Sequence, residues 1–330
     1  MRHVFLVNPA AGRQDQTARF AAMAETLHRR HGLNCALLRT DGPGSAEAAA
    51  AGIAAARRLA ETGEPLRLYV CGGDGTVHEA ACGIAGFSNA SMTCIPAGTG
   101  NDLLRNFGAD AARFQDAENL WDGPAFPLDL IDCNGRLCLT IACNGIDARV
   151  ADSVRRFSHL PLLQGRGSYL ASVAVNFLFR GIGQHWRVSL DGAEEEGDFA
   201  LVSMCNGRYY GGGSCPVPEA RMDDGVLHTV LVRAVGRVTF ARLFGAYSAG
   251  QYRRLPAGLI RVETPREVRI QADTPFITCL DGECFSSRKV TMRLSEKRLN
   301  FFGPKGCSPN ATAVPVPGSP RRHAGRANPV

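Results

Sequence analysis

The sequence predicts an α/β N-terminal domain on a doubly wound, mainly parallel sheet, followed by a mainly antiparallel β C-terminal domain, a sandwich or open barrel with a few helices. Three observations carry this. Short apolar runs alternate with amphipathic stretches up to about residue 95, closely spaced strand-like segments take over after residue 127, and glycine clusters fall where strands give way to helices. The 330 residues, 45% hydrophobic and 21% charged, have the composition of a globular protein and the length of two domains.

The first run, HVFLV, is broken by Asn8-Pro9 too soon to serve as a signal-peptide core and reads as a buried strand. A helix follows around Phe20, Met23, Ala24 and Leu27, then the strand CALLR, an alanine-rich helix over 45–61, the strand LRLYV, a short helix from Thr76 and the strand MTCIP. In such a sheet the functional loops lie at the carboxyl ends of the strands. Beyond residue 127 come PLDLID, RLCLTIAC, HWRVSL, DFALVSMC, VLHTVLV, EVRIQA, PFITCL and KVTMRL, interrupted by helical patterns at 168–179 and 238–247. The segment 298–302 is expected to return to the first domain as an added strand. The expected limits are 1–127, with a returning strand at about 295–303, for the first domain, 128–294 for the second, and 304–330 for a disordered basic tail.

The net charge of +6 is uneven, because Lys305, Arg321, Arg322 and Arg326 lie after Gly303 in a stretch without Asp or Glu. That tail lacks apolar periodicity and can sample an anionic membrane surface without anchoring to it. The 12 cysteines contain no CxxC pair, and Cys133, Cys138 and Cys143 lack a second zinc half-site, so reduced core thiols in a cytosolic protein are expected. No run approaches the roughly 18 apolar residues that cross a bilayer.

The chemistry concentrates at Val70-Cys71-Gly72-Gly73-Asp74-Gly75-Thr76, after a predicted strand and before a helix. Its glycines let backbone N–H groups approach phosphate, and the helix N-terminus adds a favourable dipole. A carboxylate beside a phosphate is repelled unless a cation bridges them, so Asp74 points to magnesium. A second loop, Ile95-Pro96-Ala97-Gly98-Thr99-Gly100-Asn101-Asp102, follows the next strand and opens on the same sheet edge. A third, Asn8-Pro9-Ala10-Ala11-Gly12-Arg13, follows the first strand and brings a cationic side chain. Each motif alone has a plain alternative: a helix-entry turn at Gly72 to Gly75, an N-cap at Asp102, a strand-edge carboxylate at Asp129, a solvated hairpin residue at Glu283.

At VNPAAG, GGDGTVHEA and IPAGTGND the chain resembles the diacylglycerol kinase catalytic-domain family, which includes bacterial diacylglycerol kinases and the sphingosine and ceramide kinases. The likeness continues in order through PLDLIDCNGRLCLTIACNGIDA, NGRYYGGG, DDG at 223–225 and LDGE at 280–283. The resemblance implies an ATP- and Mg2+-dependent kinase that phosphorylates a lipid hydroxyl, with diacylglycerol as the leading acceptor. It implies a nucleotide site of Asn8, Pro9, Ala10, Ala11, Gly12, Arg13, Thr40, Gly72, Gly73, Asp74, Gly75, Thr76, Gly98, Thr99 and Asn101. It also implies a magnesium network of Asp74, Asp102 and Asp129, acting partly through water, and a catalytic base at Glu283. A lipid partner at the membrane surface, peripheral association, no nucleic acid, a homodimer as a compatible state, and a cytoplasmic location with visits to the inner membrane surface follow from the same likeness.

Three departures stand out. Arg13 replaces the usual Lys of bacterial relatives, and the chain's three lysines, Lys289, Lys297 and Lys305, all lie outside the N-terminal domain; Arg can hold phosphate bidentately instead. His78 stands where the family commonly has Asn and is read as a helix-face residue without a metal role. The DDG segment resembles a structural magnesium site in which Asp224 and the Val226 carbonyl would serve, but Arg221 occupies the position of an upstream Asp, leaving a plain turn as the equal alternative. Val173, Phe177, Leu178, Phe240, Leu243 and Phe244 could line an acyl site. Competing functions are kinases for a sphingoid base, ceramide or a polyprenol, then NAD kinase, then a non-catalytic nucleotide- or lipid-binding regulator.

Overall fold

The computed structural model describes residues 1–12, 14–40, 58, 61–97, 101–157, 181–256 and 258–309. The predicted helices at 45–61, apart from Arg58 and Glu61, and at 168–179, with Val173, Phe177 and Leu178, lie outside these residues.

The first sheet runs β2-β1-β3-β4-β15-β5, from β1 (Arg2–Val7), β2 (Asn34–Arg39), β3 (Leu66–Gly72), β4 (Ala90–Pro96), β5 (Ala125–Leu128) and β15 (Leu299–Phe302). All neighbours are parallel except β15 and β5. Val4 to Val7 and Leu68 to Cys71 are fully buried, as expected of strands covered on both faces, whereas the edge strand β2 alternates. Among the described residues, the α-helices between the strands are α1 (Thr17–His31), α2 (Asp74–Ile84) and the single turn α3 (Asp102–Arg105). Helix α1 stops at Gly32, whose left-handed backbone (φ 67°) donates to the His28 carbonyl. The chain leaves β1 toward β2 on one side and later returns to β3 on the other. The loops after β1 and β3 therefore flank the point where strand order reverses, the place where an open α/β sheet has its crevice.

Strand β15 does return to this sheet. Consecutive side chains point to opposite faces: Phe302 meets Tyr69 edge-on and Phe301 packs with Phe107 and Phe114.

The second sheet contains β6 (Ile131–Cys133), β7 (Arg136–Cys138), β8 (Ile141–Gly145), β9 (Gln184–Leu190), β10 (Ala193–Cys205), β11 (His228–Arg233), β12 (Ile260–Glu263), β13 (Glu267–Leu280) and β14 (Glu283–Leu294). Their order is β12-β11-β10-β8-β13-β14-β6-β7, with β9 joining β10 to β13. Strand β10 pairs with β9 along 193–199 and with β8 along 201–205, while β13 pairs with β9 along 268–271 and with β8 along 278–280. The two long strands thus change partner midway and the sheet closes into a barrel around Trp186, Phe199, Phe276 and Met292. Closure, against the open or sandwich form expected, comes from strand length. EVRIQA and PFITCL are one 14-residue strand with a register shift between Gln271 and Phe276, where Pro275 lacks a ladder donor.

Among the described residues, α4 (Ile146–Phe157) and the anticipated α5 (Arg237–Ser248) flank the barrel. PLDLID, which reads as one strand, is divided between the sheets: Leu128 ends β5, and Ile131 opens β6.

All 12 cysteines are free, and Cys133, Cys138 and Cys143 are buried in β6, β7 and β8. The segment 304–309, expected as the start of a disordered tail, is packed. Lys305 pairs with Asp122, the Lys305 carbonyl accepts from Arg113 at 3.1 Å, and the Pro309 carbonyl accepts from buried Arg208 at 3.0 Å. Truncation after Pro309 is therefore expected to leave the melting temperature unchanged. Removing 304–309 as well should lower stability by about 1–3 kcal/mol, because the Arg208 guanidinium loses a buried acceptor. Urea unfolding of the two truncations checks this.

Candidate active site

Asn8 braces the first loop against the second. Its amide donates to the Thr76 hydroxyl at 2.9 Å, its side-chain oxygen accepts from the Ala10 N–H at 3.0 Å, and its own N–H reaches the Cys71 carbonyl at 3.0 Å. Pro9 and Ala11 are half-buried beside it. Gly12 is required by both conformation and space: its φ is +87°, and a Cβ there would meet the Ala97 carbonyl oxygen at 2.3 Å. Thr40 is buried and donates its N–H to Val7 at 2.9 Å. Gly72 lies against the Thr76 side chain, and extended Gly73 caps α2. A Cβ at Gly73 or Gly75 would meet nothing within 4 Å. The N-terminus of α2 therefore faces open space, as a phosphate cradle needs. Arg13, Gly98 and Thr99 lie outside the described residues.

Asp74 begins α2, and its Oδ1 accepts the Asp102 N–H at 3.0 Å. Asp102, 7% exposed, accepts the Gly212 N–H through Oδ2 at 2.8 Å, and its Oδ1 lies 3.2 Å from Arg105 Nε. The Gly212 donor comes from a turn in which Gly211, Gly212 and Gly213 all have positive φ (59°, 86° and 117°), a path that side chains would strain. Burial, then the charge of Asp102, raises Asp74 to about 6, and burial raises Asp102 above the usual carboxylate range. Two carboxylates held together at this electrostatic cost favour a cation. Among the described residues no group of three His, Cys, Asp or Glu forms a ready-made metal cage. Asp74 and Asp102 would fit a Mg2+ that draws its remaining ligands from water and phosphate oxygens. Asn101 spends its side chain as the α3 cap, accepting from Leu104 N–H at 3.2 Å.

The opposite wall is the hairpin between β13 and β14. Leu280 pairs with Glu283, and Asp281 and Gly282 form the two-residue turn with φ 49° and 106°, the left-handed pair that Asp-Gly favours. The Asp281 carboxylate faces inward. It accepts the N–H groups of Leu139, Thr140 and Ile141 at 2.6, 2.9 and 3.0 Å, the Thr140 hydroxyl, and His78 Nδ1 at 2.8 Å. Burial opposes the charge on both partners. The mutual hydrogen bond and attraction nonetheless hold Asp281 below and His78 above their ordinary values, so they form an ion pair. His78 is thus a buried clamp between α2 and the hairpin. The adjacent Glu79 is raised by burial and then by the charge of exposed Glu283. Replacing His78 with Ala should cost about 1–3 kcal/mol by leaving Asp281 underpartnered, and Asn should recover part of it. Turnover should fall more than nucleotide affinity, because Glu283 is displaced while the α2 N-terminus is kept; melting curves beside nucleotide titrations check this.

Asp129 has hydrogen-bond partners other than those of Asp74 and Asp102. It lies where the chain crosses between the sheets, buried, with Arg298 at 2.6 Å and the Gly225 N–H at 2.7 Å on its two oxygens. Since Arg298 precedes β15, this pair ties the outgoing crossing to the returning one. Asp224 accepts the N–H of Val226 at 3.0 Å, and burial raises it above the usual range. Arg221 pairs with Asp223 at 3.8 Å. The DDG turn therefore binds Asp129 through Gly225, with Val226 partly exposed. Asp281, Arg298 and Gly212 were not singled out from the sequence. The Asp-Gly turn was a visible signal for Asp281; its pairing with His78 spans 203 positions and has no local signature.

Residues 2–133 match the family described as the diacylglycerol kinase catalytic domain, and residues 140–303 match the YegS C-terminal NAD kinase beta sandwich-like domain. A protein of Pseudomonas aeruginosa named a probable lipid kinase YegS-like is 31% identical over 72% of this chain and 77% of its own length. A protein of Mycobacterium tuberculosis named diacylglycerol kinase is 33% identical over 66% of this chain and 72% of its own. A crystal structure described as a putative diacylglycerol kinase from Bacillus anthracis has the same fold, with a TM-score of 0.71 at 21% identity, over 92% of this chain and 96% of that one. Motif order, site geometry and these likenesses agree: the chain belongs to the diacylglycerol kinase catalytic-domain family of lipid kinases.

Proposed function

We propose that this lipid kinase transfers the γ-phosphoryl group of ATP, with Mg2+, to the hydroxyl of diacylglycerol, giving phosphatidic acid. The observation that supports the reading is that α2 carries Asp74, bonded to Asp102, at its N-terminus and is tied through His78 to Asp281 in the hairpin that ends at Glu283. The N–H groups at the start of α2 and the Asn8-braced loop would hold the triphosphate. Mg2+ held near Asp74 and Asp102 would offset the negative charge of the phosphates. As the lipid oxygen bonds to the γ-phosphorus, the bond to the β,γ-bridging oxygen breaks and ADP leaves. The hydroxyl proton passes to the Glu283 carboxylate.

The mycobacterial relative's name favours diacylglycerol as acceptor, while the YegS-like name specifies only a lipid. A sphingoid base, ceramide or polyprenol is the second reading. Labelled ATP offered with a panel of these lipids, resolved by thin-layer chromatography, tests the choice: labelled phosphatidic acid supports diacylglycerol, and label confined to another lipid replaces it.

A further inference from the structure

We propose that helix α5 is a membrane-docking element that seats the protein on an anionic bilayer beside the candidate active site, an inference that rests on the lipid-kinase reading. Its sequence, RVTFARLFGAYS, turns Phe240 and Tyr247 toward the barrel and leaves the other side open. At helical spacing the outward arc consists of Phe244, Arg237, Ala241, Gly245, Val238 and Arg242, all exposed. It carries apolar or small residues and two cations, with no acid. Val238, 64% exposed, and Phe244, 38% exposed, are two of the five exposed large hydrophobic residues among the described ones. Their company on one helix is therefore a patch rather than scatter.

The charge around α5 identifies the occupant. Between Asp224 and Glu263 there is no Asp or Glu, while Arg233, Arg237, Arg242, Arg253, Arg254 and Arg261 fall in that interval. Arg233 pairs with Glu195, Arg261 with Glu195 and Glu263, and Arg253 with Glu219. Among the described residues Arg237, Arg242 and Arg254 form no ion pair. Apolar side chains between unpaired arginines complement a surface that is anionic outside and hydrocarbon within. No helix among the described residues is long and apolar enough to cross a membrane, so α5 would lie along the surface.

The helix is also joined to the site. Exposed Phe244 lies 5.9 Å from half-buried Phe240 and 6.3 Å from buried Tyr247. Tyr247 shares a 3.0 Å hydrogen bond with the Tyr210 hydroxyl, which donates to Asp147 at 2.5 Å. Tyr210 opens the turn whose Gly212 N–H holds Asp102. A lipid surface meeting α5 would thus stand one loop away from the Asp74–Asp102 pair.

Co-sedimentation of the full chain with vesicles tests this without nucleotide, so its outcome is independent of whether phosphoryl transfer occurs. Vesicles of phosphatidylcholine alone are compared with equal parts phosphatidylcholine and phosphatidylglycerol. Wild type should bind the anionic vesicles more tightly and release them as salt rises. The pair Arg237→Gln and Arg242→Gln should weaken binding roughly 30-fold, and Val238→Ser with Phe244→Ser at least about tenfold. Both should keep the wild-type melting temperature, and the arginine pair should also keep activity on detergent-dispersed lipid. Equal vesicle binding by folded wild type and both variants, or no binding by any, overturns the proposal. A mass in solution that halves on Val238→Ser with Phe244→Ser, without vesicle binding, assigns the face to a second copy instead and also overturns it.

Discussion

Glu283→Gln is expected to lower turnover by roughly two to four orders of magnitude while nucleotide affinity and melting temperature stay near wild type. The substitution keeps the size of the side chain and removes the carboxylate that would accept the lipid proton. Glu283 is exposed, and the hairpin geometry is set by its neighbours Asp281 and Gly282. A surface residue without a chemical role would change stability by about 0.5 kcal/mol or less and leave the rate alone. Turnover, ATP affinity and melting measured on one preparation separate the cases, and more than about a tenth of wild-type turnover in the variant rejects Glu283 as the base.

Asp74→Asn is expected to abolish most Mg2+-dependent turnover and, in metal-free buffer, to raise stability. The sign follows from titration. Burial and Asp102 raise Asp74 to about 6 from an ordinary 3.8. An acid with a raised folded value stabilises the fold while protonated; that contribution is complete below the ordinary value and is lost as pH rises through about 6. At pH 8 the ionised wild-type carboxylate carries a cost of up to about 3 kcal/mol. The Asn avoids it and still accepts the Asp102 N–H. Thermal melts in EDTA should show the variant above wild type at pH 8, converging toward pH 4. Added Mg2+ should stabilise wild type alone. A variant that melts lower at pH 8, or that keeps turnover, contradicts the role given to Asp74.

Local signals made the first domain readable. Buried parallel strands appear as continuous apolar runs, and the glycine loops mark their carboxyl ends, so Asn8, Gly12, Gly72 to Thr76 and Asp102 were all visible and meet at one crevice. The barrel was less legible because its strands change partner midway. A register shift between Gln271 and Phe276 makes β13 look like two strands, and Asp129 looks like part of one strand when it marks the passage between sheets. Side chains joined over long separations left no pattern at all. His78 reads as a helix-face residue until Asp281 is placed against it, and nothing local to Asp129 announces its pairing with Arg298.

The most direct measurement is transfer of label from γ-labelled ATP to diacylglycerol in mixed micelles, with Mg2+ or EDTA, for wild type and Glu283→Gln in parallel. The account predicts labelled phosphatidic acid from wild type only with Mg2+, and a loss of roughly a hundredfold or more in the variant despite intact nucleotide binding. Folded wild-type protein that labels neither diacylglycerol nor any other lipid alcohol, with Mg2+ and ATP present, would contradict it.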